Sequence, residues 1–341
     1  MRGGRRGQEG LVAERAQRRV DPAVAEVRRA VRTALAALPA PYRTAPLLVA
    51  CSGGADSLAL AAATLAVRDE RDVHAAVVDH GLQEGSAELA ATTADRLIGM
   101  GAIASVHRVR VDGPGGMEAA ARRARYLALR AARPHPDAPV LLGHTLDDQA
   151  ETVLLGLGRG SGPRSLAGMR EWDAPWLRPF LGVRRSVTAA ACAAWGLPVW
   201  EDPHNVDPRF TRVRLRHEVL PLLEEVLSGG VAAALARTAA QLREDVDTLD
   251  ALAAALLAEI RDGDALRVEP LITAAPALRR RVLRSWLLGS SVTTLTDTQL
   301  RAADLLAGQG PDRGGVALPG GLELVRERGR LFLRPVRWHS G

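Results

Sequence analysis

The stretch LLVACSGGADSLALAAATLAV at residues 47–67 decides the fold of this chain. Five apolar residues precede the glycine turn SGGADS, and an alanine- and leucine-rich segment follows it. This order predicts a buried strand, a tight loop and a helix. Backbone N–H groups at the start of such a helix bind anions. The stretch therefore predicts a phosphate-binding loop, although it lacks the lysine of the familiar GK[ST] loop.

The same alternation of strand and helix continues along the chain. Strand-like runs recur at 73–80, 104–111 and 138–144, and helix-like runs lie between them at 86–100 and 116–132. Strands that alternate with helices predict an α/β fold built on a doubly wound parallel sheet. Ligands of such sheets bind beyond the carboxyl ends of the strands, which is where the polar motifs of this sequence fall.

Four regions differ in composition. We expect a disordered basic arm at 1–20, a catalytic α/β domain at 21–220 and a smaller helical domain at 221–307 without strands. Residues 308–341 alternate apolar and polar residues around GG and RG turns, which predicts a short β-rich C-terminal segment. The length of 341 residues agrees with about two domains at roughly 150 residues each.

Composition excludes several classes of protein. The two cysteines, Cys51 and Cys192, are too few for a disulfide framework and wrongly spaced for a zinc site, so we expect buried, reduced thiols. No apolar run approaches the ~18 residues of a membrane span, so we expect a cytoplasmic protein without a membrane partner. The net charge is +6, but residues 1–20 hold six arginines against two glutamates. The charge is therefore a weak argument for nucleic-acid binding.

Asp56 is the single charged side chain of the glycine turn. A carboxylate beside phosphates is typical of a Mg²⁺ ligand, whereas an aspartate at a helix start also serves as a cap. We expect Asp79 and His80, at the end of the second strand, to face the same nucleotide. The predicted nucleotide-binding residues of the turn are Ser52, Gly53, Gly54, Ala55, Asp56 and Ser57.

SGGADS resembles the SGGxDS loop of the N-type ATP pyrophosphatases, the PP-loop superfamily. These enzymes cleave ATP between the α and β phosphates and adenylate an oxygen of their substrate. The resemblance implies an adenine nucleotide alpha hydrolase-like fold, with ATP and Mg²⁺ as cofactors. The hexapeptide alone does not choose among the members of the superfamily.

Five further stretches resemble the tRNA(Ile)-lysidine synthetase family over about residues 45–225. The family patterns include DHGLR, EAAARxxRY, GHHxDDQAET and RGxGxxGLxGM. Three positions depart from the family patterns. Gln83 replaces an arginine, Thr145 replaces the second histidine, and Val213 replaces an asparagine downstream. The matching stretches are VVDHGLQ at 77–83, MEAAARRARY at 117–126, GHTLDDQAET at 143–152, RGSGPRSLAGM at 159–169 and WEDPHNVDPRFTRVRLRHEVLPLL at 200–223.

The resemblance implies an ATP-dependent ligase that joins lysine to C2 of the wobble cytidine, position 34, of tRNA(Ile) with a CAU anticodon. The cytidine is adenylated with release of pyrophosphate, the lysine amine displaces AMP, and codon specificity changes from AUG to AUA. The implied partners are L-lysine and tRNA(Ile), with residues 221–307 as the tRNA-binding domain. A homodimer is left open.

The resemblance also implies roles for individual residues. Catalysis is assigned to Asp56, Arg122, His144, Asp148 and Glu151. Clustered carboxylates also bind ammonium groups or Mg²⁺, whereas acids at a helix start are favourable without any ligand. The residues assigned to lysine or tRNA are Asp147, Asp148, Glu151, Arg122, Arg125, Arg209, Arg212 and Arg216.

Two alternatives and two ambiguities stay open. A PP-loop tRNA thiolase would need a cysteine pair that the two cysteines do not form, and a non-catalytic RNA-binding relative would not need the acids and arginines together. Arg122 could pair with Glu118 on one helix face. The arginines at 209–216 and at 279–284 could neutralise tRNA phosphates or form solvated helix faces.

Overall fold

The computed structural model describes residues 21–83, 85–114, 116–160, 162–200, 207–309 and 315–336. The chain divides into two compact units, at 1–240 and 241–341. The basic arm predicted at 1–20 lies outside the described residues, and so do residues 201–206 of the last family-like stretch.

The first unit follows the predicted alternation of strands and helices. Its elements are α1 (Pro22–Ala36), α2 (Ala40–Arg43), β1 (Leu47–Ala50), α3 (Ala55–Val67), β2 (Val73–Asp79), α4 (Ser86–Gly99), β3 (Ile103–Arg108), α5 (Gly116–Ala131), β4 (Val140–Leu141), α6 (Leu146–Arg159), α7 (Pro163–Leu166), β5 (Trp172–Asp173), β6 (Trp176–Leu177), α8 (Arg185–Ala194), α9 (Thr211–Arg214), a π-helical turn (Leu215–Val219), α10 (Leu220–Val226) and the start of α11 (Val231–Ile260).

The described strands of this unit form one six-stranded sheet in the order β3-β2-β1-β4-β6-β5. Neighbouring strands are parallel, except that β5 runs antiparallel to β6. The predicted α/β class with a parallel sheet is confirmed. Because β1 lies between β2 and β4, the carboxyl ends of the strands that precede the predicted site residues are neighbours.

β1 is buried on both faces, as expected of a central parallel strand covered by helices. Leu47, Leu48 and Val49 have almost no exposed surface. Cys51 and Cys192 are also buried in this core, as predicted. Burial raises the pKa of both thiols, that of Cys192 to about 11.

Gly143, two residues after β4, permits a close approach of this strand to the start of α3. A Cβ atom at Gly143 would lie 3.0 Å from the backbone oxygen of Asp56 and 3.2 Å from the amide nitrogen of Ser57. The absence of a side chain therefore lets the acidic motif that follows β4 lie against the phosphate loop that follows β1.

The second unit contains the end of α11 and a mixed helical and β region. Its further elements are β7 (Arg261–Asp262), β8 (Ala265–Arg267), α12 (Glu269–Thr273), α13 (Pro276–Gly289), α14 (Asp297–Gln309), β9 (Gly315–Leu318), β10 (Leu322–Glu327) and β11 (Arg330–Pro335). The described strands form an antiparallel sheet in the order β7-β8-β11-β10-β9. The predicted C-terminal β segment is thus present as a meander.

β7 and β8 were not expected, since no strand was predicted between 221 and 307. They have two and three residues, too few to show a period of two along the sequence. β8 owes its position to pairing with β11, where Leu266 lies opposite Leu331 and both side chains are buried.

In the described part of the chain, no single helix has both the length and the apolarity of a membrane span. The helices Thr211–Val226 and Val231–Ile260 reach those values only together, as a pair bent by 95°.

Candidate active site

The glycine turn between β1 and α3 is held together by Ser57. Its Oγ accepts a hydrogen bond from the Ser52 amide at 3.1 Å and donates one to the Gly54 carbonyl at 2.9 Å. Gly53 has a φ of +87°, and a Cβ there would lie 2.9 Å from Thr93 Oγ1. The turn therefore requires glycine at position 53, and Ser52 is its exposed hydroxyl.

Helix α6 begins with a capping box between Thr145 and Asp148. The Thr145 amide donates to Asp148 Oδ2 at 2.8 Å, and the Asp148 amide donates to Thr145 Oγ1 at 3.4 Å. Thr145 is the position at which the chain departs from the second histidine of the family pattern. A threonine there stabilises the helix start and directs one oxygen of Asp148 to the backbone.

Arg185, the first residue of α8, joins the predicted acidic residues. Its Nη2 lies 2.7 Å from Asp148 Oδ1, its Nε lies 3.3 Å from Asp56 Oδ2, and its Nη1 lies 3.7 Å from Glu151 Oε1. Its backbone amide donates to Asp147 Oδ2 at 2.8 Å. The structure thus brings Asp56, from the phosphate loop, to the acids of the DDQAE segment.

Glu151 is completely buried and is neutralised by arginines from a distant part of the chain. Arg216 Nε lies 2.9 Å from Glu151 Oε1, and Arg212 Nη1 lies 3.6 Å from Oε2. Arg216 Nη2 is also 3.5 Å from Asp148 Oδ1. Two of the predicted substrate arginines therefore lie at the acidic cluster, formed by Asp56, Asp148 and Glu151.

Arg209 does not join this cluster. Its side chain is 81% exposed and pairs with Asp207 at 2.7 Å. Arg214 likewise pairs with Glu218, at 2.8 Å. These two arginines belong to surface ion pairs, so the four arginines at 209–216 divide into an exposed pair and a pair at the acids.

The electrostatic environments of Asp56 and Asp148 differ. Burial raises the pKa of Asp56, and the nearby Asp148 adds to this, against opposing effects of the Thr188 hydroxyl, which donates to Asp56 Oδ1, and of Arg185. Burial also acts to raise the pKa of Asp148, but Arg185 and the hydrogen bonds from Thr145 outweigh it and lower the pKa. Asp148 is therefore held firmly ionised, and Asp56 less so.

Helix α5 contributes a basic region on the ligand side of the sheet. Arg122 Nη2 donates to Tyr126 Oη at 3.1 Å, and its guanidinium lies 4.8 Å from the centre of the Tyr126 ring. These contacts of Arg122 are with Tyr126, whereas the sequence had also allowed an ion pair with Glu118. Arg125 lies 5.5 Å from the centre of the same ring, and its buried Nε has no hydrogen-bond partner among the described residues.

His80 directly follows β2 and His144 lies three residues after β4, and Arg125 of this basic region acts on both rings. Within the described part of the chain, the Nδ1 atom of each is buried and has no hydrogen-bond partner. Burial lowers the pKa of both, and Arg125 adds to the effect in each case. The pKa of His144 falls to about 3, so this ring is neutral at physiological pH.

Asp79, at the end of β2, is buried and satisfied locally. Its Oδ1 accepts a hydrogen bond from the Gly81 amide at 2.9 Å. Burial acts to raise its pKa, but this bond, the Ser86 hydroxyl and Arg108 lower the pKa overall. The geometry of Asp79 is that of a residue that shapes the turn after β2.

Sequence reasoning missed Arg185 and Thr188. A signal for Arg185 was present, because it is the first residue of a helix, where the helix dipole disfavours a cation. Acids nearby offset this unfavourable interaction. Which acids these are depends on the packing of α8 against α3 and α6, and the sequence does not show it.

Three arginines of α13 in the second unit form ion pairs within that unit. Arg279 Nε pairs with Asp304 Oδ1, Arg280 Nη1 lies 3.6 Å from Asp304 Oδ2, and Arg281 Nε lies 3.0 Å from Asp250 Oδ1. The sequence allowed two interpretations of this segment, contacts to tRNA phosphates or a solvated helix face. Neither of them predicted these internal ion pairs.

Comparisons with known proteins agree with the geometry. A family model described as a PP-loop domain matches residues 27–223, and one described as the TilS substrate binding domain matches residues 266–332. The tRNA(Ile)-lysidine synthase of Rhodococcus erythropolis is 56% identical over 319 residues, which cover 92% of this chain and 96% of that protein. The tRNA(Ile)-lysidine synthase of Nocardia farcinica is 59% identical over 292 residues, which cover 84% and 91%.

A solved structure shares the fold. The U34-tRNA thiolase NcsA from Methanococcus maripaludis, with its 4Fe–4S cluster, superposes with a TM-score of 0.52 at 16% identity and covers 65% of this chain and 80% of that one. This likeness concerns the fold alone, whereas the sequence matches extend over both units. The chain belongs to the tRNA(Ile)-lysidine synthase family.

Proposed function

We propose that this chain uses ATP to join L-lysine to C2 of cytidine 34 in tRNA(Ile) with a CAU anticodon, and releases AMP and pyrophosphate. The observation that supports this best is the meeting of Asp56, Asp148 and Glu151 at the guanidinium of Arg185. The phosphate loop and the acidic motif then act on one reacting centre, in a chain that belongs to the lysidine synthase family.

The first step is adenylation of the cytidine. The 2-oxygen of the base bonds to the α phosphorus of ATP, the bond to the bridging oxygen breaks, and pyrophosphate leaves with the electron pair. The turn from Ser52 to Ser57 and the start of α3 suit the leaving pyrophosphate, because a helix N-terminus stabilises an anion.

Asp56 is suited to help hold Mg²⁺. Its side chain is 24% exposed and lies in the first turn of α3, next to the phosphate loop. Mg²⁺ is commonly held by one or two carboxylates together with phosphate oxygens and water, so a single carboxylate at this position fits. The ion would supply positive charge that stabilises the phosphates during displacement.

The second step is attack of the lysine ε-amine on C2, with loss of a proton from nitrogen and departure of AMP from C2. Asp148 is suited to hold an ammonium group of lysine through a charge-assisted hydrogen bond. Since its pKa is lowered, Asp148 serves as a binding group and not as the base. Glu151 has no exposed surface, so we assign it the positioning of the arginines.

The basic region on α5 is suited to the cytosine and the α phosphate. Arg122 is exposed beside Tyr126 and can stabilise the negative charge that develops on the phosphate. His144 is neutral because its pKa is about 3. Its role is therefore a hydrogen bond to the base or the nucleotide, and not donation of a proton as an acid.

We assign tRNA binding chiefly to the region after residue 220. The helical tRNA-binding domain predicted at 221–307 overlaps the matched TilS substrate binding domain at 266–332. Arg212 and Arg216 are engaged with Glu151, so their contribution to tRNA binding is secondary to this contact. A homodimer is not required by the proposed chemistry.

Incorporation of labelled lysine into unmodified tRNA(Ile) with a CAU anticodon tests the proposal. We expect one lysine per tRNA, with one AMP and one pyrophosphate formed for each, and only with ATP and Mg²⁺ present. Asp56→Asn should abolish incorporation. Asp69→Asn, at an aspartate with an 85% exposed side chain, should leave it unchanged.

Two results would contradict the proposal. One is no incorporation by folded protein. The other is equal incorporation into tRNA(Met), which has the same anticodon letters but is not the substrate.

A further inference from the structure

On the basis of the proposed function, we infer that Arg185 is a positioning residue that occupies the lysine site until nucleotide binds. Release of its guanidinium to the phosphates frees Asp148, so ATP binds before lysine and strengthens lysine binding. Arg185 couples the two sites because it contacts the phosphate-loop acid Asp56 and the acid of α6 at the same time.

Both carboxylate oxygens of Asp148 are already engaged. Oδ2 accepts hydrogen bonds from the amide and the hydroxyl of Thr145, at 2.8 and 2.9 Å. Oδ1 lies 2.7 Å from Arg185 Nη2 and 3.5 Å from Arg216 Nη2. An ammonium group can therefore bind Asp148 only if a guanidinium moves away from Oδ1.

Formal charges at the acidic cluster balance. In the described part of the chain, the three acids Asp56, Asp148 and Glu151 are faced by three cations, Arg185, Arg212 and Arg216. Asp147, outside this cluster, also acts on Arg185. A cluster without net charge gives a cationic substrate little attraction. A further negative partner for one of the arginines changes this balance.

ATP supplies that partner at the phosphate loop. Arg185 already reaches the loop through Asp56, at 3.3 Å, and its side chain is 26% exposed. A guanidinium binds phosphate oxygens in a bidentate manner. When Arg185 turns to the phosphates, the oxygen Oδ1 of Asp148 becomes available and the acids regain net negative charge.

The backbone of Arg185 is fixed while its side chain can exchange partners. Its amide donates to Asp147 Oδ2 at 2.8 Å, and the Thr188 hydroxyl one turn later donates to Asp56. The change therefore needs only a side-chain rotation. This also gives Asp147 a definite position, as the acid that caps α8.

Equilibrium dialysis of labelled lysine against the full chain tests the inference. Mg²⁺ is present in all samples, and the samples differ by an ATP analogue with a methylene group between the α and β phosphates. We expect the lysine Kd to fall at least about tenfold with the analogue. Linkage requires lysine to lower the Kd of the analogue by the same factor. Equal lysine Kd values with and without the analogue would overturn the inference.

Arg185→Gln removes the shared cation. We expect this variant to bind lysine more tightly than the wild type without nucleotide, and to change its lysine Kd less than about threefold when the analogue is added. Arg184→Gln, at an adjacent exposed arginine, should keep the wild-type factor. Full coupling in Arg185→Gln would overturn the inference. Should Arg185→Gln not fold, the two wild-type measurements decide the matter.

Failure of the proposed function gives a different result. In that case neither lysine binding nor lysine incorporation into tRNA is found under any condition. Incorporation into tRNA(Ile) with a nucleotide-independent lysine Kd would leave the function intact and remove only the role of Arg185.

Discussion

The carboxylate of Glu151, which has no exposed surface, lies 2.9 Å from Nε of Arg216, 65 residues further along the chain. Arg216 belongs to the π-helical turn Leu215–Val219. Such turns are rare in proteins, and those that do occur often lie at functional sites. The ion pair joins the acidic helix α6 to this turn, so the acids of the site and the segment before α10 depend on each other.

Glu151→Gln should lower the free energy of unfolding by about 1–3 kcal/mol, since it removes the charge of a buried acid from Arg212 and Arg216, which are 34% and 26% exposed. Urea denaturation followed by circular dichroism measures the change. Glu218→Gln, at an exposed glutamate paired with Arg214, makes the same substitution and should have no measurable effect. A similar loss in both variants would show that burial of the Glu151 pair is not the cause.

Gly143→Ala should weaken ATP binding. The new Cβ would lie 3.0 Å from the Asp56 backbone oxygen, and overpacking of this kind costs about 1–3 kcal/mol. We expect the KM for ATP to rise about tenfold, with a smaller change in the KM for lysine. Gly99→Ala, where a Cβ meets nothing within 4 Å, serves as the control, and an unchanged KM in Gly143→Ala would contradict the close approach.

His144 should make the protein less stable as the pH falls below about 6.5. The unfolded chain protonates this histidine near its ordinary pKa, whereas the native ring stays neutral down to about 3. Stability is therefore complete above the unfolded pKa and declines toward pH 3, by about 1.4 kcal/mol at pH 5.5.

Denaturation at pH 7.5 and pH 5.5 gives the change in the free energy of unfolding between the two pH values. Comparison of this change in the wild type and in His144→Gln gives the contribution of His144. The variant should lose less stability between the two pH values. An equal loss in both proteins would mean that His144 is protonated in the folded state.

Arg279→Gln should destabilise the second unit without altering the salt dependence of tRNA binding. Arg279 and Asp304 are 15% and 11% exposed, so loss of the arginine leaves a largely buried acid with only the more distant Arg280, at 3.6 Å, at a cost of about 1–3 kcal/mol. Arg301→Gln removes an exposed pair on α14 and should leave the unfolding transition unchanged. A decrease of about 1 in the slope of log K against log salt would instead assign Arg279 to a tRNA phosphate.

Much of the α/β core was predictable, because its signals are local. Apolar runs with flanking glycines mark β1 and the turn at Gly53, and the strand ends bring Asp56 and Asp148 to neighbouring positions in any parallel sheet of this order. β7 and β8 were not predictable, since strands of two and three residues form only when β11 supplies their hydrogen bonds.

The motifs of the sequence were sufficient to identify a phosphate loop, an acidic helix start and the family to which they belong. The tertiary structure was needed to show which cations meet these acids. Arg185 lies 129 residues from Asp56 and 37 from Asp148 along the chain, yet its guanidinium contacts both. Ion pairs depend on distance in space, and helix packing brings together charges whose separation in sequence contains no information about that distance.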